Sequence, residues 1–254
     1  MSEVKLINGD CIEEMQKLID DGVKVDMVLT DPPYGTTACK WDSIVPFDEM
    51  WDCIKQLTHP STPILLFGSE PFSSHLRLSQ PKLYKYDWIW NKEVGTNIFN
   101  RKTQPLNNYE TISVFYEKTG QYYPIMTEAP KKRSFKRKPF PSETYGMKDK
   151  RKSEYKDTGL RFPKRIITVN SQKDECNNLN RVHSSQKPVK LLKYLIQTYT
   201  KEDDIVLDFT MGSGSTGVAC KELNRNFIGI ELEPKYYEIA KERINEAKAQ
   251  RRLI

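Results

Sequence analysis

Residues 205–217 read Ile-Val-Leu-Asp-Phe-Thr-Met-Gly-Ser-Gly-Ser-Thr-Gly, and this stretch decides the fold. The apolar run at its start predicts a buried strand, the glycines predict a tight turn, and a helix is predicted from about Thr216. Such a turn brings backbone N–H groups to a helix N-terminus, which favours an anionic ligand group. Gly212, Gly214 and Gly217 also match the spacing of the dinucleotide fingerprint, so this loop alone leaves NAD open as a cofactor.

Strands alternate with helices over the chain on both sides of one long irregular stretch. The segments between the strands carry apolar residues at helical spacing, as Met50, Ile54 and Leu57 do. This order predicts an open, mostly parallel α/β sheet, whose ligands bind beyond the carboxyl ends of the strands. Clear alternation in 86–90 and 111–116 predicts antiparallel strands at a sheet edge. The seven predicted strands are 4–7, 25–29, 64–67, 86–90, 111–116, 205–207 and 227–230.

A second loop, Asp31-Pro32-Pro33-Tyr34-Gly35, comes after the early strand that ends near Thr30. The Asp31 carboxylate and the Pro32 carbonyl are both acceptors, because proline lacks an N–H but keeps its carbonyl. The loop can therefore bind an –NH2 group, while the Tyr34 ring can stack on the flat ring that bears the amine. A dehydrogenase has no evident use for such a loop, which favours another nucleoside cofactor over NAD.

Composition excludes several classes of protein. The 254 residues are 37% hydrophobic and 29% charged, as in a soluble globular chain with one sizeable domain or one domain plus an insertion. No apolar run approaches the roughly 18 residues that span a bilayer, and no signal peptide is recognisable, so neither membrane association nor secretion is expected. The five cysteines form no Cys-x-x-Cys pair and the three histidines are scattered, so we expect no metal and a reducing cytoplasm.

Charge is concentrated in one segment. Residues 131–165 contain fourteen Lys or Arg and four Asp or Glu, for a net charge of +10, whereas the whole chain carries +6. A mildly acidic body with one strongly basic stretch is typical of a nucleic-acid-binding protein.

These loops resemble the motifs of the β-class DNA amino-methyltransferases, in which the catalytic Asp-Pro-Pro-Tyr comes early and the cofactor loop comes late. The resemblance covers most of the chain and implies a Rossmann-like methyltransferase fold with a seven-stranded sheet, in which the two late strands form a hairpin. It assigns catalysis to Asp31, Pro32, Pro33 and Tyr34. Phe209-Thr210 replaces the family's usual Pro-Phe.

The same resemblance implies S-adenosyl-L-methionine as the cofactor. Asn8-Gly9-Asp10-Cys11 is similar to the family's adenine-binding segment, and 183–188 is similar to its His-x-x-Gln-Lys-Pro element beside the methionine part of the cofactor. The cofactor-binding residues implied in this way are Asp10, Cys11, Lys187, Asp208, Phe209, Gly212, Ser213, Gly214, Ser215, Thr216 and Glu231.

The implied reaction is direct methyl transfer to the N6 amine of a flipped-out adenine in double-stranded DNA. Cytosine N4 remains open as the target, although the family more often has Ser in place of Asp31 in such enzymes. The same chemistry on RNA or protein, a catalytically silent DNA-binding module and an NAD-dependent oxidoreductase are further alternatives. Methylation of cytosine carbon is excluded, because that reaction needs a thiol and no Pro-Cys dipeptide is present.

Three regions are expected: residues 1–119 as the catalytic half, 120–180 as an inserted target-recognition region, and 181–254 as the cofactor-binding half. The insertion is predicted to bind DNA phosphates, with affinity that falls as salt is added. A homodimer and a cognate restriction enzyme are left open as partners, and the expected location is the cytoplasm of a bacterium or a phage-infected cell. The DNA-binding residues expected in the insertion are Lys131, Lys132, Arg133, Lys136, Arg137 and Lys138.

Overall fold

The computed structural model describes residues 2–35, 43–129, 157–170 and 186–248, and the backbone of 135–136 and 154–155. The chain divides into two compact units. The larger unit comprises Met1–Tyr123 and Arg165–Ile254, and the smaller unit comprises Pro124–Lys164.

Helices and strands alternate through both halves of the larger unit. The helices are α1 (Cys11–Asp20), α2 (Phe47–Leu57), α3 (Phe72–Ser79), α4 (Val189–Tyr199), α5 (Ser215–Glu222) and α6 (Pro234–Glu246). The strands are β1 (Val4–Asn8), β2 (Met27–Thr30), β3 (Ile64–Gly68), β4 (Tyr84–Thr96), β5 (Asn107–Phe115), β6 (Thr127–Glu128), β7 (Phe135–Lys136), β8 (Glu154–Tyr155), β9 (Leu160–Arg161), β10 (Ile166–Thr168), β11 (Ile205–Asp208) and β12 (Asn226–Glu231).

The larger unit is built on an eight-stranded sheet in the order β1-β12-β11-β2-β3-β5-β4-β10. Every neighbouring pair is parallel except the two pairs that β5 makes, with β3 and with β4. The mostly parallel sheet and the antiparallel pairing of β4 with β5 are as the sequence predicts. The hairpin that the resemblance implies for the two late strands is formed by β4 and β5, whereas the last strands of the chain, β11 and β12, are parallel.

Successive residues of the central strands face opposite sides of this sheet. Met27 and Leu29 pack into an apolar cluster with residues of α4, α5 and α6. Val28, between them, packs into a second cluster with residues of α1, α2 and α3. Helices therefore cover both faces, which explains why these strands are continuous apolar runs rather than alternating ones.

Two features of the sheet differ from the prediction. An eighth strand, β10, pairs with β4; it has three residues, of which only Ile167 is buried, too few to show a period in the sequence. In addition, β4 continues to Thr96 rather than ending near Trp90. The last part of β4 is mostly polar and has no apolar pattern that would predict a strand. Its extended structure depends on backbone pairing with β5.

The smaller unit lies within the stretch expected to be an insertion. It contains two short antiparallel pairs, β6 with β9 and β7 with β8. Next to β9, the Asp157 carboxylate accepts hydrogen bonds of 2.6 and 2.7 Å from the Arg161 guanidinium. Across the described part of the chain, no helix is long and apolar enough to cross a membrane.

Candidate active site

Two loops meet at the crevice between β2 and β11. These strands are parallel neighbours, and they end at Thr30 and Asp208. After them the chain leaves in opposite directions, from β2 to β3 and from β11 to β12. A switch of this kind leaves space beyond the carboxyl ends of the strands, where α/β proteins bind their ligands. The loop with Asp31 and the glycine-rich loop therefore face the same space.

Hydrogen bonds join the two loops directly. The Thr30 hydroxyl donates to the Asp208 carboxylate at 2.7 Å and lies 2.7 Å from the Thr210 hydroxyl. Thr210 in turn donates to the Asp31 carbonyl at 3.2 Å. Neither threonine is predicted as a site residue from the sequence, because their significance depends on the pairing of β2 with β11.

The Asp31 carboxylate is held between a phenol and an ammonium group. Tyr34 donates its hydroxyl to Oδ1 at 2.5 Å, and Lys187 donates to Oδ2 at 2.5 Å. Burial raises the pKa of Asp31, the Lys187 charge opposes that rise, and the Glu110 charge adds to it. Lys187 therefore favours the ionised form of Asp31 against the effect of burial.

Lys187 is also paired with Glu110, at 3.3 Å. On the other side of Glu110, Lys92 contacts its second carboxylate oxygen at 2.5 Å. Burial works to raise the pKa of Glu110, but the two ammonium groups lower it below its usual value. The resemblance places Lys187 at the cofactor, and in the structure Lys187 lines the cavity with its ammonium paired to Asp31 and Glu110. Two carboxylates and two lysines therefore alternate in this cluster.

Glu231 closes the glycine-rich loop onto the end of β12. Its carboxylate accepts from the N–H of Gly212 at 2.8 Å and from the N–H of Glu233 at 2.9 Å. Burial raises its pKa, and these backbone donors oppose the rise. Because a carboxylate has about four acceptor sites, Glu231 keeps capacity for hydroxyl donors.

The first residues of α1 lie beside this loop. Asp10 caps the helix by accepting from the N–H groups of Ile12 at 2.9 Å and Glu13 at 3.2 Å. Burial, and then the Asp10 charge, raise the pKa of Cys11 to about 12. Its thiol is therefore protonated at neutral pH.

Both loops line one cavity of about 850 Å³. It is also lined by Asp10 and Cys11 of the first strand–helix turn, by Lys92 and Glu110 of the hairpin, and by Gln186. All the residues predicted for catalysis or for the cofactor lie in the described part of the chain. Every one of them lines this cavity except Gly214. Gly214 is the N-cap of α5 with φ +77°, and a Cβ there would lie 2.8 Å from that of Ala240.

The predicted DNA-binding residues fall largely outside the described part of the chain. Lys136 lies in β7, where the backbone is described. The remaining five predicted residues, Lys131, Lys132, Arg133, Arg137 and Lys138, lie outside the described ranges.

In the described residues, no group of three or more His, Cys, Asp or Glu side chains could hold a metal ion.

A family model described as DNA methylase, of the N6/N4 methyltransferase type, matches residues 25–242. The chain belongs to this DNA methylase family. The type II methyltransferase M.HpaI of Haemophilus parainfluenzae is 27% identical over 258 residues, which cover 95% of this chain and 74% of that protein. The type II methyltransferase M.HinfI of Haemophilus influenzae is 26% identical over 267 residues, covering 96% and 68%.

Solved structures show the same fold as this DNA methylase. The M1.HpyAVI–SAM complex has a TM-score of 0.61 at 24% identity, with 95% of this chain and 99% of that chain covered. The PvuII cytosine-N4-specific DNA methyltransferase has a TM-score of 0.66 at 15% identity, with 96% and 86% covered.

Family membership confirms the predictions of a DNA amino-methyltransferase, a Rossmann-like methyltransferase fold and site-specific methylation of DNA. The DNA methylases of this family use S-adenosylmethionine, which decides the question of the cofactor that the glycine spacing leaves open.

Proposed function

We propose that this DNA methylase transfers the methyl group of S-adenosylmethionine to the N6 amine of adenine in double-stranded DNA. One observation carries the proposal: the Asp31 loop and the glycine-rich loop are hydrogen-bonded to each other and line the same cavity. A methyl donor held by one loop and an amine held by the other would then share that cavity.

The cavity residues suit the cofactor. Glu231 would accept from ribose hydroxyls and Asp10 from the adenine part, while the backbone at Gly212 has open space beside it. The buried Oε1 of Gln186 lines the cavity and has no hydrogen-bond partner in the described residues, as is expected of an acceptor that serves a ligand. When bound, S-adenosylmethionine supplies an electrophilic methyl group on its sulfonium.

Asp31 and Pro32 would orient the attacking amine. The lone pair of the adenine amine is partly delocalised into the ring, so the amine is a poor nucleophile. The Asp31 carboxylate and the Pro32 carbonyl would accept hydrogen bonds from its two N–H groups and aim the lone pair at the methyl group. The amine would lose one proton once the new N–C bond has formed. Asp31 would also stabilise the positive charge that develops on nitrogen. Tyr34 would stack on the base, which must leave the duplex to reach the cavity.

Lys187 would keep Asp31 ready for the amine. Without a counter-charge, burial would favour the neutral acid, which is a weaker acceptor. When the amine arrives, Lys187 retains a partner, because Glu110 already lies 3.3 Å away. The positive charge of Lys187 can thus be shared with Glu110 while Asp31 turns to the amine.

Beyond the cavity, residues 120–180 would form the target-recognition region, with Lys131, Lys132, Arg133, Lys136, Arg137 and Lys138 on DNA phosphates. We place the enzyme in the cytoplasm of a bacterial or phage-infected cell. A homodimer and a cognate restriction enzyme are the partners to test for.

Transfer of label from methyl-labelled S-adenosylmethionine to duplex DNA tests the proposal, with RNA and protein as parallel substrates. We expect labelling of DNA by the natural chain and more than about a hundredfold loss of rate in Asp31→Ala, since the variant lacks an oriented charge worth several kcal/mol. Cofactor affinity, measured by calorimetry, should be nearly unchanged. Glu231→Ala is the matched variant, and it should weaken cofactor binding. Near-normal activity of Asp31→Ala would refute the assignment.

A further inference from the structure

The β4–β5 hairpin extends beyond the sheet and bends at an irregularity. Asn91 of β4 pairs with Tyr109 of β5, and the next pair is Thr96 with Asn107. The chain thus moves five residues along β4 but only two along β5, so β4 contains extra residues here. Glu93, within this irregularity, has a positive φ of +60°. Extra residues in one strand bend it and redirect the chain beyond them. Here the redirected segment is a tip, residues 97–106, that turns back into β5.

The tip presents apolar side chains at the rim of the cavity. Ile98 and Phe99 both line the cavity of the active site. Yet Ile98 is 55% exposed and Phe99 is 100% exposed. Exposure of a whole phenyl ring is unfavourable in water, so its position beside the reaction site calls for a partner that covers it.

The tip has a defined local structure. Asn97 adopts the left-handed conformation with φ +65°, and residues Ile98–Asn100 form a turn of 3-10 helix. The carbonyl of Asn100 accepts from the N–H groups of Thr103 and Gln104 at 2.9 and 3.0 Å. A preformed turn costs less entropy to insert into a partner than a loose loop.

Charge at the tip favours an anionic partner. Residues 97–109 contain Arg101 and Lys102 and no Asp or Glu. Both basic residues are exposed, as are their neighbours in the tip. An exposed aromatic ring flanked by cations suits a nucleic acid, whose bases stack on the ring and whose phosphates pair with the cations.

We propose that the tip is a wedge that enters the DNA duplex beside the target base, and that Phe99 fills the space which the flipped base leaves. The proposal rests on the proposed function, since it needs a duplex at this cavity. Apolar side chains inserted between base steps offset part of the cost of unstacking. Arg101 and Lys102 would then contact the phosphates on either side and hold the tip in the groove. The wedge acts on the opening of the duplex and not on the methyl transfer itself.

The test compares Phe99→Ala with Leu78→Ala, which removes another exposed apolar side chain, 73% exposed on α3 and not part of the cavity. The probe is a duplex oligonucleotide with the site found by single-molecule sequencing of DNA that the enzyme has methylated. A second duplex differs by a mismatch opposite the target base, which lowers the cost of flipping. We expect Phe99→Ala to lose about tenfold or more in kcat/KM on the paired duplex, because the wedge offsets part of the cost of unstacking there, and much less on the mismatched one.

Leu78→Ala should match the natural chain on both duplexes. An unchanged rate of Phe99→Ala on the paired duplex would overturn the wedge, and so would an equal loss on both duplexes. A change in the oligomeric state of Phe99→Ala, measured by light scattering, would show that the ring serves a second copy of the chain and would overturn it too. If the natural chain methylates no DNA, the proposed function fails and the wedge fails with it; activity on DNA without these differences removes the wedge alone.

Discussion

At Asp31, a lysine opposes the effect of burial on the pKa of a carboxyl group. Burial and the neighbouring Glu110 both raise the pKa of Asp31, and Lys187 is the cation that opposes them. In the proposed mechanism, the ionised form is the one that can accept a hydrogen bond from the amine and stabilise the charge that develops on it. The acid limb of the pH–rate profile should therefore report on this ion pair.

Replacing Lys187 by Met removes the charge and keeps the length of the side chain. We expect the acid limb of kcat/KM to move to higher pH, because the pKa of Asp31 rises further and less of it is ionised at a given pH. The rate should recover in part as the pH is raised. Lys190→Met, at an exposed position in the first turn of α4, is the control. An acid limb that stays in place in Lys187→Met would contradict this account of the ion pair.

Sequence motifs point to the residues of the two loops, since each motif lies at the end of an apolar strand. They do not point to Glu110 or Lys92, which complete the charged cluster. Glu110 of β5 pairs with Trp90 of β4, and Lys92 is two residues after Trp90 on the same strand. Such a contact arises from strand register, and neither residue stands in a local pattern that marks it.

At the scale of elements, the absence of a side chain at Gly217 allows α5, the helix after the glycine-rich loop, to pack closely against its neighbours. A Cβ on Gly217 would lie 2.4 Å from Cδ1 of Ile244 and 2.7 Å from the Phe227 ring. These residues belong to α6 and β12. α5 can therefore pack closely enough to hold its N-terminus, and the loop before it, at the cavity.

We expect Gly217→Ala to destabilise the fold by about 1–2 kcal/mol, because overpacking costs more than the gain in helix propensity returns. Ile244→Val removes the atom that would be nearest, so the double variant should be less destabilised than the sum of the two single variants. Urea denaturation of all four proteins measures this difference. Strict additivity would show that the two positions do not share the contact.

Most elements with a buried apolar face are predicted from the sequence; α3, which buries Phe72 and Leu76, is an exception. The central strands and α1, α2, α4, α5 and α6 all have such faces. The short strand β10 and the distal part of β4 have few buried residues, and their place depends on pairing with a neighbour. For the same reason the hairpin tip is not foreseen, although it lies at the cavity.

On the scale of the whole molecule, the excess positive charge and the residues of the cavity lie in different parts of the sequence. The stretch 131–165 carries a net charge of +10 within a chain whose total is +6. The residues that line the cavity lie on either side of this stretch, from Gly9 to Glu110 and from Gln186 to Tyr236. This order separates the Asp31 loop from the glycine-rich loop by most of the chain, and the parallel pairing of β2 with β11 brings them together.

The chemical identity of the product is the most direct test of the claim that Asp31 and the cofactor loop serve one methyl transfer to an amine. Duplex DNA would be incubated with the enzyme and S-adenosylmethionine carrying a deuterated methyl group, digested to nucleosides and analysed by mass spectrometry. The account predicts deuterated N6-methyladenine from the natural chain and none from Asp31→Ala. Deuterium on cytosine alone would contradict the choice of adenine, and equal labelling by both proteins would contradict the claim itself.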